Sequence, residues 1–201
     1  MANPAPRYRI AINGYGRIGQ CVLRALVERH HPELEVVAIN ELSDLATITY
    51  LTRYDTTHGR FPGEVDNDGE YLIINGQRIQ MLCERDPSRL PWQALDVDLV
   101  LECSGSFKDR ATAELHLAAG AKRLLFSQPA ENDVDATIVW GINEDELSLS
   151  QRILSAASCT TNCLVPLLTV LDEALGLEHG VTTTIHSAMN DQPVIDAYHQ
   201  T

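Results

Sequence analysis

A glycine-rich turn between a short strand and a helix is the feature that most constrains how this sequence can fold. Tyr8 to Ile12 alternates as a strand does, and it leads directly into Asn13-Gly14-Tyr15-Gly16-Arg17-Ile18-Gly19. Arg17 to His30 is then predicted to form a helix, and Leu34 to Ile39 a second strand. Strand, turn, helix and strand in this order predict a βαβ unit with two parallel strands.

The same turn indicates a phosphate-binding function. In the pattern G-x-G-x-x-G the glycines permit a tight turn, a close approach of the backbone to a pyrophosphate and close packing of helix on strand. Glu41 follows about 20 residues later, where an acidic side chain binds a ribose 2′-hydroxyl and repels a 2′-phosphate. The segment therefore predicts that NAD is bound in preference to NADP. The alternative is that these glycines only terminate loops.

The remaining order of strands and helices predicts an α/β fold with a doubly wound parallel sheet. Val97 to Cys103 is an apolar run, broken by Asp98 and Glu102, that ends in Ser104-Gly105-Ser106. A helix is expected from Asp109 to Ala119, and further strands at Arg123 to Phe126 and Ala136 to Ile142. Because parallel strands present their carboxyl ends at one edge, we expect ligands to bind there. An excursion of antiparallel strands is predicted around the turn Asn75-Gly76.

A cysteine stands where a strand gives way to a helix. Arg152 to Leu154 reads as the end of a strand, and Thr160 to Leu175 has helical spacing, so Cys159 lies at or beside a helix N-terminus. The helix dipole and the unpaired amides there favour a thiolate, which attacks carbonyl groups. The alternative for a single cysteine is a small buried apolar side chain.

A histidine in a comparable position could serve that thiolate. Val181 to Ile185 is rich in β-branched residues and predicts a strand, and His186 follows it directly. A candidate thiolate requires a base and later an acid, which a histidine supplies. A histidine at a strand end is also compatible with a purely structural role, and only proximity to Cys159 distinguishes the two hypotheses.

Composition limits the partners of the chain. It has 201 residues, 44% of them hydrophobic, and a formal net charge of -13. Nucleic acids and anionic membranes require concentrated Lys and Arg, so neither is expected as a partner. No apolar run approaches the roughly 20 residues that span a bilayer, and a cytoplasmic location is expected. The five cysteines form neither a disulfide framework nor zinc knuckles, so no metal site is predicted.

When the glycine turn and the segments with Cys159 and His186 are considered together, the chain resembles the phosphorylating glyceraldehyde-3-phosphate dehydrogenase family, from about Arg9 to its last residue. Ala11 to Gly19 is similar to the cofactor turn of that family, Ala157 to Cys163 to its active-site sequence, and Thr184-Ile185-His186-Ser187 to the segment that carries its catalytic histidine. The resemblance implies that Cys159 is the nucleophile and that His186 activates it. It also implies substrate contacts for Ser158, Cys159 and Thr160. The implied NAD-binding residues are Asn13, Gly14, Gly16, Arg17, Ile18, Gly19, Glu41, Arg85, Ser104, Gly105 and Ser127.

The C-terminal residues favour one branch of the family. Met189 stands where glycolytic members carry a threonine that helps to bind phosphate, and Ala188-Met189 and Ala197-Tyr198-His199 are similar to the erythrose-4-phosphate dehydrogenase branch. A thioether cannot replace a hydroxyl hydrogen bond to an anion, which favours water over inorganic phosphate as the last nucleophile. The expected reaction is oxidation of D-erythrose 4-phosphate, a step towards pyridoxal phosphate. The alternatives are glyceraldehyde 3-phosphate oxidation with phosphorolysis, and an inactive NAD-binding module.

The same resemblance predicts two domains. Residues 1–158 are expected to form the NAD-binding domain, and residues 159–201 the first, incomplete part of an α+β catalytic domain. The chain is shorter than the family, so we expect a truncated form of a sugar-phosphate dehydrogenase that is a homotetramer at full length.

Overall fold

The computed structural model describes residues 7–186. These residues contain four α-helices: α1 (Arg17–Glu28), α2 (Leu45–Arg53), α3 (Arg110–Ala118) and α4 (Cys159–Leu175). The strands are β1 (Tyr8–Asn13), β2 (Leu34–Asn40), β3 (Tyr54–Asp55), β4 (Gly59–Arg60), β5 (Val65–Asn67), β6 (Tyr71–Ile74), β7 (Gln77–Leu82), β8 (Leu99–Glu102), β9 (Arg123–Phe126), β10 (Ala136–Thr137) and β11 (Ile153–Ser155). Within residues 7–186, no helix has both the length and the apolar character that crossing a membrane requires.

Nine of these strands form one sheet in the order β10-β11-β9-β8-β1-β2-β7-β6-β5. Strand β1 pairs in parallel with β2 on one side and with β8 on the other. The parallel pairing continues through β9, β11 and β10, and from β2 to β7. Only β5, β6 and β7 pair antiparallel in this sheet. The chain thus winds outwards in both directions from β1, which confirms the doubly wound prediction.

Both faces of the sheet are covered, because its strands are apolar on both sides. One core contains Ala11 of β1, Ala113 of α3 and Trp92, which precedes β8. The other contains the next residue of β1, Ile12, together with Leu23 of α1 and Ile48 of α2. Since α1 and α2 occupy one face and α3 the other, the sheet lies between two layers of helices. The helices cover the faces of the sheet and not the carboxyl ends of its strands.

Two predicted strands are wrong in extent or existence. Only Ala136–Thr137 of the predicted strand from Ala136 to Ile142 pairs with a neighbour. Beyond it Asn143 accepts a hydrogen bond from the Val139 amide, and Gly141 adopts a φ of 82° that turns the chain away. Val181 to Ile185 forms no strand. A strand needs a neighbouring strand for its backbone hydrogen bonds, and no described strand pairs with this segment. Its residues Val181 and Ile185 are both 97% exposed.

Candidate active site

The predicted site residues follow the carboxyl ends of parallel strands. Because β1, β2, β7, β8, β9 and β11 run in the same direction, the segments that follow them lie along one edge of the sheet. The residues brought to this edge are Asn13, Gly14, Glu41, Arg85, Ser104, Gly105, Ser127, Ser158 and Cys159. The structure therefore assembles the two centres, cofactor turn and cysteine, on the same side of the molecule.

Each glycine of the turn after β1 has a distinct environment. Gly14 has a φ of 88°, and a Cβ atom there would lie 2.4 Å from the Cα of Ser104. A Cβ atom at Gly19 would lie 2.3 Å from the carbonyl oxygen of Gly14. At Gly16, by contrast, no heavy atom of the described residues other than its chain neighbours lies within 4 Å of such a Cβ. Gly14 and Gly19 thus permit close packing of the turn, and Gly16 leaves open space over the start of α1.

A cleft of about 360 Å³ lies between the loops after β1, β2, β7 and β8. The predicted cofactor residues that line it are Asn13, Gly14, Gly16, Glu41, Arg85 and Ser104. Ile18, Gly19, Gly105 and Ser127 are not among its lining residues. The guanidinium of Arg17 forms an ion pair with the carboxylate of Asp55, in β3. The structure therefore brings most of the predicted cofactor residues around one cleft. The Arg17 side chain points towards Asp55 instead.

The position of Glu41 is fixed by backbone donors. Its Oε2 atom accepts a hydrogen bond from the Tyr15 amide at 2.8 Å, and its Oε1 atom from the Leu42 amide at 2.7 Å. The carboxylate is thereby held between the glycine turn and the end of β2. Among residues 7–186, no side chain caps the N-terminus of α1, whose N-cap is Gly16. Amide groups without a capping side chain, open space at Gly16 and a positioned carboxylate together fit a dinucleotide with a free ribose 2′-hydroxyl.

Cys159 is the first residue of α4 and lies against His186. The side chain of Ser158 caps this helix by accepting a hydrogen bond from the Thr161 amide at 2.9 Å. The Sγ atom of Cys159 is 3.3 Å from the Nε2 atom of His186. The hydrogen bond with His186 lowers the pKa of the Cys159 thiol below its ordinary value, although partial burial opposes the shift. The geometry thus favours an exposed thiolate with a histidine in contact.

The chain before α4 is tightly held. Ala157 is buried and has a φ of 59°, a left-handed conformation that is strained for a residue with a Cβ atom. The Asn162 amide group donates to the carbonyl oxygens of Ala156 at 2.8 Å and Ser158 at 2.9 Å. Ser158 and Thr160, the predicted substrate residues, contact each other at 3.0 Å through their hydroxyl groups. These bonds fix the direction in which α4 begins, and with it the position of Cys159.

Sequence reasoning missed one buried polar residue beside the cleft. Glu102, at the end of β8, is fully buried and hydrogen-bonds to Asn13 and Ser104. The one available signal was a charged residue inside an apolar strand. Away from the cleft, Cys21, Asp55 and His58 place ligand-type atoms within 4.8 Å of one another. The Asp55 carboxylate in that group is already paired with Arg17.

Two family models match the chain. The model described as glyceraldehyde 3-phosphate dehydrogenase, NAD binding domain, matches residues 8–110. The model described as glyceraldehyde 3-phosphate dehydrogenase, C-terminal domain, matches residues 158–201. The first match contains the glycine turn, Glu41 and the loop after β8, and the second contains Cys159 and His186.

Proposed function

Because the chain belongs to the glyceraldehyde 3-phosphate dehydrogenase family, we propose that it oxidises D-erythrose 4-phosphate to 4-phosphoerythronate with NAD. Its family makes it an NAD-binding oxidoreductase that acts on a phosphorylated aldehyde. The observation that carries the catalytic assignment is the contact of 3.3 Å between Cys159 Sγ and His186 Nε2. A thiolate at a helix N-terminus beside an imidazole is a nucleophile paired with its base.

The proposed reaction begins with the Cys159 thiolate, which attacks the aldehyde carbon and forms a carbon–sulfur bond. The carbonyl oxygen becomes an oxyanion, stabilised by His186 and by the backbone amide of Cys159. NAD, when bound, supplies the acceptor for the hydride that leaves this carbon, and a thioester remains on Cys159. His186 then takes a proton from water as the water oxygen attacks the thioester. The carbon–sulfur bond breaks, the acid is released and the thiolate is restored.

The substrate assignment rests on sequence. Met189, with Ala188 and the segment Ala197-Tyr198-His199, lies outside the described residues. An apolar side chain at position 189 in place of a hydroxyl weakens a site for inorganic phosphate. This supports hydrolysis of the thioester, and the four-carbon substrate, over phosphorolysis and glyceraldehyde 3-phosphate. The proposal also includes a homotetramer and a place in pyridoxal phosphate biosynthesis.

A second candidate is an NAD-binding module without activity. None of the residues of α4 is buried, and the segment that carries His186 is exposed. A catalytic cysteine needs surroundings that orient the aldehyde and hold the substrate phosphate. If the described part of the catalytic half is too little for this, the chain binds NAD and does not turn over.

The test compares NADH formation with erythrose 4-phosphate and with glyceraldehyde 3-phosphate at matched concentrations, each with and without inorganic phosphate. We expect faster turnover of the four-carbon sugar and no stimulation by phosphate. The Cys159→Ser variant is expected to lose turnover and to keep its affinity for NAD. Phosphate-dependent turnover of the three-carbon sugar would contradict the substrate assignment. Binding of NAD without turnover of either sugar would favour the inactive module.

A further inference from the structure

A buried carboxylate lies directly behind the cofactor cleft. Glu102 has no exposed surface. Its Oε1 atom accepts hydrogen bonds from the amide of Ser104 at 2.8 Å and from the hydroxyl of Ser104 at 2.5 Å. Its Oε2 atom accepts a hydrogen bond from the Nδ2 atom of Asn13 at 2.5 Å. Burial of a charge is unfavourable unless donors surround it, so these bonds are what allows the carboxylate to stay there.

The hydrogen bonds on one side of Glu102 have a fixed direction. The amide of Glu84 donates to the Oδ1 atom of Asn40 at 2.9 Å, and a backbone amide can only donate. The Nδ2 atom of Asn40 must therefore be the one that faces Asn13, and it donates to Asn13 Oδ1 at 2.7 Å. This leaves the NH₂ group of Asn13 to face Glu102. The backbone of the loop after β7 thus determines both amide orientations.

The other side of Glu102 is fixed in the same way. The indole N–H of Trp92 donates to the Nδ1 atom of His116 at 3.0 Å, and an indole nitrogen can only donate. The ring proton of His116 therefore lies on Nε2, which is 3.5 Å from the Oε2 atom of Glu102. Both side chains are fully buried. The described side chains and amides that hydrogen-bond to Glu102 are thus all donors, and the Nε2–H of His116, which forms no hydrogen bond of its own within residues 7–186, also lies beside it.

We propose that Glu102 is a positioning residue for NAD, and that its acceptor character, not its shape, holds four loops in their binding geometry. Asn13 immediately precedes Gly14, and Ser104 is the residue that Gly14 packs against. Asn40 precedes Glu41, and Glu84 precedes Arg85. The hydrogen bonds that begin at Glu102 therefore reach the loops after β1, β2, β7 and β8, which together form the cleft. This inference rests on the NAD-binding function of the chain.

The test measures the dissociation constant of NAD⁺ by titration calorimetry. Glu102→Gln keeps the shape and replaces one acceptor atom by an NH₂ donor that meets other donors. We expect affinity to fall about tenfold or more, the effect of losing one charged hydrogen bond. The matched control is Glu35→Gln, in β2 of the same sheet but in its first half, where Glu35 pairs with Arg9 at 3.6 Å. We expect the control to bind NAD⁺ within about twofold of the unmodified chain.

A second variant distinguishes positioning from general stability. Combining Glu102→Gln with Asn13→Asp reverses the polarity of the bond between the two side chains and leaves the net charge unchanged. The amide introduced at position 102 can then donate to the carboxylate introduced at position 13, which still accepts from Asn40. Because the Nε2–H of His116 still faces that amide, the recovery is expected to be partial. We expect the double variant to bind NAD⁺ several-fold more tightly than either single variant, a coupling typical of side chains in direct contact.

Several outcomes would overturn the proposal. Affinity of Glu102→Gln within twofold of the unmodified chain would do so, as would a folded double variant without recovery. If Glu102→Gln alone does not fold, the double variant must fold and bind NAD⁺, and its failure counts against the proposal. Failure of the unmodified chain to bind NAD⁺ would instead refute the cofactor function from which the inference proceeds, and the two failures are distinguished by that measurement.

Discussion

Cys159 owes its proposed reactivity to contacts that can be removed one at a time. Its position at the start of α4 supplies a favourable electrostatic field, and the hydrogen bond with His186 lowers the pKa of its thiol. The thiol is exposed, so a reagent in solution can reach it. The pKa shift is therefore open to direct measurement without substrate or cofactor.

Replacing His186 with alanine should raise the pKa of Cys159. A higher pKa leaves less thiolate at neutral pH, and we expect alkylation by iodoacetamide at pH 7 to be about tenfold slower. The difference should disappear above the pKa of an ordinary thiol, where both forms are fully ionised. The measurement is the alkylation rate at position 159 as a function of pH, with Cys159→Ser identifying the labelled site. His179→Ala, in the same exposed segment, is the matched control, and an equal effect of both substitutions would refute the contact.

For these individual residues, the sequence predicts positions along the chain but not all of their contacts. The position of Cys159 at a helix start followed from local spacing, since a strand end and a helical pattern meet there. Its contact with His186 spans 27 residues, and no local pattern encodes that distance. Glu102 shows the same limit, because its donors come from positions 13 and 104 and their orientations depend on residues of other strands. A charge in an apolar strand indicates that donors must exist and does not identify them.

The turn after β1 separates two functions of glycine within one element. Gly14 adopts a φ of 88° and packs against the backbone of Ser104, so it serves the fold. Gly16 has a φ of −73°, which any residue adopts, and open space beside it. The space at Gly16 is where the start of α1 meets the cleft, and we propose that this glycine serves the ligand.

Alanine at these two positions should therefore give different defects. We expect Gly14→Ala to destabilise the protein by at least about 2 kcal/mol, because the new Cβ atom both strains the backbone and collides with backbone atoms. Gly16→Ala should leave the free energy of unfolding within about 0.5 kcal/mol of the original and weaken NAD⁺ binding, since the methyl group occupies space needed by the pyrophosphate. Urea unfolding and calorimetric titration of both variants provide the measurements. Equal stability of the two variants would contradict the assignment.

Helices and turns were predicted correctly where residues adjacent in sequence determine them. The turn Asn75-Gly76 joins β6 and β7 with positive φ at both residues, 50° and 82°, as its sequence predicts. Asp109 caps α3 through the Thr112 amide, and the helix predicted there is confirmed. Val181 to Ile185 has the β-branched composition of a strand and forms none, because composition cannot supply the neighbouring strand that pairing requires.

For the whole molecule, the apolar core is confined to the first part of the described chain. The buried apolar residues extend from Ile10 to Ala157, and α4 contributes none. Large apolar side chains beyond this point, such as Leu175 and Val181, are exposed. The doubly wound sheet therefore carries the stability of the described chain, and the segment with Cys159 and His186 is attached to it. The domain boundary at position 158, which the family resemblance implies, stays a prediction.

Removal of residues 158–201 should therefore leave the fold of the sheet intact. We expect the midpoint of thermal unfolding to change by less than about 3 °C, because residues 158–186, the described part of this segment, contain no buried apolar side chain. Binding of an apolar dye should decrease, since the exposed leucines and valines of residues 159–186 are removed with it. Phe126→Ala in the full chain is the control for sensitivity: Phe126 is fully buried, and its loss should cost about 3–5 kcal/mol and lower the midpoint by at least about 6 °C. A shortened chain as destabilised as this variant would show that α4 belongs to the core, and the boundary near position 158 would then be wrong.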